Sequence, residues 1–191
     1  MYCDIVFPKN NEREFLQVAR FLGYEKLVFV YETAPINIPK ENGAVVVFGA
    51  STKQKPKWAE YLILESTGDD RKTIETLRPE IIYGFETKNT KDGLHYRNSG
   101  LNHVLCALMR ENNVACGFSL SALINHKNRQ VLLGRMKQNI RLCRKFGVKQ
   151  VIASFSDEPM AMRAPRDIIS LFVCLGMESG EIKNALRCFQ K

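Results

Sequence analysis

Lys137, Arg141, Arg144 and Lys145 recur at three- and four-residue intervals, so on a helix they share one face. No glutamate in that stretch offers an intrahelical ion pair, and like charges so placed repel by a few tenths of a kcal/mol per pair. Something outside the helix must offset that cost. A phosphate backbone does so naturally, and so do acidic residues on neighbouring helices. A second group stands in MRAPRD (Met162–Asp167), where Arg163 and Arg166 flank a helix start at Pro165. A helix N-terminus attracts anions through its free N–H groups and its dipole, and two arginines there favour phosphate. The competing reading pairs either arginine with Asp157, Glu158 or Asp167 to pin the loop. A third group, Lys53, Lys55 and Lys57 in KQKPK, forms a basic loop suited to phosphate contact without sequence reading, or simply a solvated loop.

Residues for bond-breaking chemistry are sparse. His95, His103 and His126 form no HxH or HExxH pair. The six cysteines are scattered, mostly inside apolar runs such as VLCALM and LFVCLG, with no CxxC. That pattern reads as free, buried thiols in a reducing compartment rather than as a disulfide framework or a zinc site. Asp4, Glu65, Glu86 and Asp157 fall near the ends of strand-like runs, as the carboxylates of a metal-dependent phosphoesterase would, but without clustered histidines to accompany them.

The 191 residues carry 28 Lys and Arg against 20 Asp and Glu, a net charge of +8. Between Glu111 and Asp157 there is no acid, while Lys127, Arg129, Arg135, Lys137, Arg141, Arg144, Lys145 and Lys149 supply eight positive charges. The remaining 20 bases and 20 acids cancel, so the whole net charge lies in that window. Such an excess points to a phosphate-rich partner. With 45% hydrophobic and 25% charged residues the composition is that of a globular domain, and a core of useful size is available to a chain this long. No run approaches the roughly 18 apolar residues of a membrane span, and MYCDIVFPKNNERE lacks the basic and apolar regions of a secretory signal.

The elements that must position these groups follow from periodicity. Strand-like runs occupy Tyr2–Phe7, Lys26–Tyr31, Ala44–Phe48, Tyr61–Leu64, Ile81–Phe85, Val114–Phe118 and Lys149–Ser154. Helical spacing marks Glu12–Leu22, Asp69–Leu77, Gly100–Glu111 with Ser99 as its cap, a turn at Ser119–Asn125, Arg129–Phe146, Pro165–Leu175 and Met177–Phe189. Runs apolar throughout, such as LVFV and VVVF, are strands covered on both faces, the mark of a parallel sheet. With no GxGxxG after the first strand and about seven strands, the prediction is one α/β domain over 1–191. It is a small, irregular TIM-barrel-like (β/α) barrel, short of the about 250 residues usual for that fold.

Four segments in order carry a resemblance: HYRNSGLNHVLC, VACGFSLSALIN, LLGRMKQNIRLCRKFGVKQVIAS and MRAPRDIISLFVCLGM. They resemble the family of protein component 3 of archaeal ribonuclease P, counterpart of the eukaryotic thirty-kilodalton subunit. The resemblance is close over about the last half of the chain and limited to strand–helix order before it. It implies a barrel akin to the polymerase-and-histidinol-phosphatase superfamily. It implies a noncatalytic subunit of the endoribonuclease that removes the 5′ leader of precursor tRNA, in which magnesium sits on the RNA subunit and no cofactor on this chain. It implies a cytoplasmic complex with ribonuclease P RNA, with precursor tRNA through the holoenzyme, and with protein component 2 as a heterotetramer of two copies each. The related phosphatases carry HxH near the end of the first strand. This chain has DIVFPKN there, so no metal centre of its own is expected. RNA contact is then expected from Arg97, on the loop after the fifth strand, from Arg135, Lys137 and Arg141 on the long helix, from Arg163 and Arg166, and from Lys53 and Lys55. Arg135 neighbours the core residue Met136, so a structural role stands beside the binding one. Trp58, Tyr61 and Tyr96 could stack on bases, although packing is the simpler use of each. The helices Gly100–Glu111 and Arg129–Phe146 are expected to form one surface. The alternatives are a metal-dependent phosphoesterase on the same barrel and a barrel enzyme binding a phosphorylated small molecule at MRAPRD.

Overall fold

The computed structural model describes residues 1–35, 45–51, 54–88 and 91–187. Its strands are β1 (Cys3–Val6), β2 (Lys26–Tyr31), β3 (Val45–Ala50), β4 (Tyr61–Glu65), β5 (Ile81–Tyr83), β6 (Ala115–Ser119) and β7 (Gln150–Ala153). All are parallel and lie side by side in chain order. The helices are α1 (Glu12–Leu22), α2 (Asp70–Leu77), α3 (Phe85–Lys88), α4 (His103–Glu111), α5 (Leu120–Asn125), α6 (Arg129–Phe146), α7 (Pro165–Cys174) and α8 (Ser179–Ala185), with one 3-10 turn at Pro159–Ala161.

The sheet closes on itself. Past β7 the chain runs along β1: Phe155 N–H donates to Ile5 O at 2.9 Å and Phe7 N–H to Ser156 O at 2.8 Å. Alternation then sorts each strand's side chains into two layers. Ile5, Val28, Ile63, Ile81, Ala115 and Val151 fill the lumen. Val6, Leu27, Phe29, Ile82, Phe118 and Ile152 face outward, into a core shared with the helices. This is why the strands read as continuous apolar runs. Among the described residues no helix lies between β2 and β3 or between β3 and β4.

Strand and helix bounds match the pattern in the sequence to within a residue or two, with three differences. The fifth strand stops at Tyr83, because Gly84 takes a positive φ of 80° and the chain turns into α3. The helix expected from Gly100 begins at His103, and its cap is Asn102, whose side chain accepts Leu105 N–H, not Ser99. The last helix begins at Ser179 under a reciprocal capping box of Glu178 and Glu181, and the end expected at Phe189 lies outside the described residues.

Candidate nucleic-acid interface on helix α6

The long helix buries one stripe and exposes another. Leu132, Met136, Ile140 and Cys143 are wholly buried at the expected spacing, and Gly147, at φ 69°, ends the helix. On the other face Arg141 and Lys145 are exposed and Lys137 is half-buried. Of the four cations on that face, Arg144 is already engaged. Its guanidinium donates to both oxygens of Glu181 on α8, at 2.7 and 2.6 Å, and to Gly176 O at 2.8 Å. The same contact holds the Glu181 carboxyl below the usual carboxylate range. Among the described residues no carboxylate pairs with Lys137, Arg141 or Lys145. A neighbouring helix therefore supplies part of the neutralisation, and three cations are left to face solvent. Helices α4 and α6 pack directly together, as expected.

Arg135 is a correction. It is only 2% exposed, so it is not presented to a ligand. Its Nε donates to Asp92 Oδ1 at 2.8 Å and its other guanidinium arm to Glu86 O at 3.0 Å. Asp92 Oδ1 also accepts Asn98 N–H at 2.9 Å. Partial burial works against the charge, yet the Asn98 N–H and the Arg135 guanidinium hold the Asp92 carboxyl below its ordinary value. Two more α6 side chains grip the same loop: Gln138 donates to Arg97 O at 3.3 Å and Asn139 to Ser99 O at 2.9 Å. Residues 92–99 are thus strapped along the middle of α6, with Arg97 exposed on top. Tyr96 is 69% exposed on the strap. Trp58 and Tyr61 pack into apolar clusters instead. Nothing in the local sequence pattern marks the strap's anchors, Asp92, Gln138 and Asn139. The one signal available was Gly134, a glycine inside a helix where alanine is more stable.

The second arginine pair is held differently. Both Arg163 and Arg166 are exposed at the start of α7, but Arg163 turns back on its own loop, donating to Met160 O and Met162 O at 2.8 and 2.7 Å. Its carbonyl accepts Tyr24 O–H at 2.8 Å. The pairing with Asp157 does not form, because Lys9 occupies that carboxylate at 2.5 Å. Ala164 gives the helix no side-chain cap. Lys55 is exposed but bonded to Glu80 at 2.5 Å, and Lys53 lies outside the described residues.

Aromatic rings pack together at the barrel mouth. Tyr83 and Phe155 stack at 4.4 Å with planes 12° apart, and Phe7 packs against both. Three of the four carboxylates near strand ends are engaged. Asp4 accepts backbone N–H groups, Glu65 binds Lys88 at 2.6 Å and Asp157 binds Lys9. Glu86 is wholly buried beside Asn139, and burial pushes its carboxyl up to about 7. Among the described residues no three His, Cys, Asp or Glu side chains gather as metal ligands would. Cys3, Cys106, Cys116 and Cys143 are free and buried, Cys174 is free and exposed, and Cys188 lies outside the described residues.

Fold and surface together define a seven-stranded parallel barrel that carries a basic helix and an arginine strap. The chain belongs to the RNase P subunit p30 family, whose model matches residues 71–189. It is similar to ribonuclease P protein component 3 of Methanococcoides burtonii, at 38% identity over 92 residues covering 47% of this chain and 38% of that one. The corresponding protein of Thermococcus kodakarensis is 32% identical over 97 residues, covering 50% of this chain and 44% of its own. That of Methanosarcina barkeri is 25% identical over 208 residues, covering 97% and 84%. The aligned part thus spans less than half the length of the first two relatives. Among solved structures the fold is like a chain of archaeal ribonuclease P with mature tRNA, determined by cryo-EM, at a TM-score of 0.76 and 19% identity over 96% of this chain and 86% of that one. It is also like a histidinol phosphate phosphatase from Lactococcus lactis, at a TM-score of 0.59 and 7% identity over 93% and 94%.

Proposed function

We propose that this chain is a protein subunit of ribonuclease P, the ribonucleoprotein that removes the 5′ leader of precursor tRNA. The observation that carries the reading is the family match over residues 71–189, a span that holds the strap, α6 and the Arg163–Arg166 segment. In this role the protein breaks no bond. It binds and supports the catalytic RNA, with precursor tRNA reached through the holoenzyme. Arg97, Lys137, Arg141, Arg163, Arg166 and the Lys53–Lys55 loop supply phosphate contacts, and Arg135 supplies the scaffold for Arg97. Protein component 2 is the protein partner, in a heterotetramer of two copies each, and magnesium acts on the RNA subunit. The complex is cytoplasmic. Among the described residues no helix is long and apolar enough to cross a membrane. A phosphoesterase is not favoured, since the aromatic rings and committed carboxylates of the mouth do not make a metal-ligand set.

The test is precursor-tRNA cleavage at limiting magnesium by the RNA subunit alone, with this protein, and with this protein plus component 2. The expected result is that the protein pair lowers the magnesium requirement. Cleavage by this protein without RNA, or a pair that adds nothing, overturns the proposal.

A further inference from the structure

Gly134 stands in the second turn of an 18-residue helix, where glycine is the least favourable ordinary residue. It is not there to permit an unusual backbone, since its φ is helical. Its value is the space it leaves. A Cβ built at this position would stand 3.0 Å from Arg97 Nε and 3.2 Å from Arg97 Cζ. The guanidinium of Arg97 therefore occupies the space that a side chain at position 134 would take. The loop that carries it is fixed on either side by the Asp92–Arg135 pair and by the Gln138 and Asn139 contacts to the Arg97 and Ser99 carbonyls.

The guanidinium itself is left open. Among the described residues it has no hydrogen-bond acceptor and no carboxylate within salt-bridge distance. The nearest acid, Asp92, already accepts from Arg135 and Asn98. One turn further along α6, on the same side of the loop, comes Lys137. A long cationic side chain normally keeps much rotamer freedom and loses it on binding. Here the glycine leaves room for the guanidinium to rest against the helix, on a loop already fixed at its backbone, while the donors stay unspent. Such an arrangement suits a fixed, repeating anion that accepts two parallel N–H donors, the phosphodiester of an RNA backbone.

The geometry points to residues 92–99 on α6 as a preorganised RNA-backbone clamp, in which Arg97 makes the phosphate contact and Gly134 is the positioning residue that seats it. This rests on the reading of the chain as a subunit that binds ribonuclease P RNA.

The experiment measures binding of the full chain, with component 2, to the ribonuclease P RNA subunit over a series of salt concentrations. The variants are Arg97→Ala, Gly134→Ala, Gly134→Leu and the double variant Arg97→Ala with Gly134→Leu. Each phosphate contact contributes about 0.7–0.9 to the slope of log K against log salt. Arg97→Ala is expected to lower the slope by about that amount. Gly134→Leu is expected to lower it equally, with no fall in melting temperature, and the double variant to match the single ones. Gly134→Ala, which helix propensity favours, is expected to raise the melting temperature and weaken binding in the same direction. A role confined to packing would move stability and leave the slope alone.

Three results overturn the clamp while leaving the subunit reading intact: wild-type binding with an unchanged slope in Arg97→Ala, a full slope in both Gly134 variants, or a loss confined to affinity for component 2. If the wild-type pair neither binds the RNA nor stimulates cleavage, the subunit reading itself fails and the clamp with it.

Discussion

The carboxylate of Asp4 accepts the backbone N–H of Ser154 at 2.6 Å across the seam of the barrel, and the same oxygen accepts Ile5 N–H at 2.9 Å. One side chain thus satisfies a donor on each side of the junction, where an eighth strand would otherwise stand. Asp4→Ala leaves two buried N–H groups without an acceptor, at about 1–3 kcal/mol each. Urea denaturation is expected to show a loss of about 2–4 kcal/mol, and Asp4→Asn, which keeps an acceptor oxygen, a smaller one.

Burial raises the Asp4 carboxyl from 3.8 to about 6 and that of Glu86 from 4.5 to about 7. Both groups are raised, so each contributes stability that is fully present below its unfolded value and is lost as the pH rises through its folded value. The expected outcome is a stability that declines between about pH 4 and pH 7 from these two groups. Glu86→Gln flattens the upper part of that decline and Asp4→Asn the lower part. Melting temperature followed across that range checks the assignment.

Arg135 is the buried end of a pair whose other member, Asp92, keeps 26% of its side chain exposed. Breaking a buried pair by removing one partner costs about 3–5 kcal/mol, and water reaching Asp92 places Arg135→Ala toward the lower end. Amide hydrogen exchange is expected to quicken across residues 92–98 in this variant, while the β-strands stay protected.

Arg141 and Arg144 stand three residues apart on one helix face, but only Arg144 is bonded to Glu181. Arg141→Ala is expected to lower the salt slope of RNA binding by about 0.7–0.9, one contact's worth. Arg144→Ala leaves the slope unchanged and costs at most about 1 kcal/mol of stability, the range for a surface pair.

Gly117 points into the lumen, where a Cβ would approach Tyr83 Cβ to 2.8 Å and Ile81 Cγ2 to 3.0 Å. These neighbours are walls of the barrel and not flexible tips. Gly117→Ala is therefore expected to lower stability by about 1–3 kcal/mol through overpacking, read from the midpoint of thermal unfolding.

The barrel was legible in the sequence because burial on both faces makes a strand apolar throughout, as in LVFV, where Leu27 to Val30 are all buried. Helix α6 was legible end to end, from Arg129 to Phe146, since its stripe is regular and Gly147 stops it. The binding surface was legible only as charge. Periodicity places Arg135 beside Met136, but it cannot say that Asp92, 43 residues earlier, returns to meet it. Nor can it tell which of Arg141 and Arg144 has Glu181 opposite. Both depend on how α8 and the strap pack, which no local pattern encodes. The cap of α4 was misplaced for a related reason: Ser99 and Asn102 are both good capping residues, and Gly100, at φ 82°, carries the chain past the first to the second.

The seam also sets an order of events on the ribosome. Strands β1 to β6 can pair as they emerge, each beside the one made just before it. The acceptor on Asp4, however, waits for a donor 150 residues downstream. At ordinary rates of synthesis that is a delay on the order of ten seconds. Through that interval the nascent sheet is an open one, with β1 as an unprotected edge. The last strand to be made converts it into a barrel, so synthesis, more than any local propensity, times the closing step.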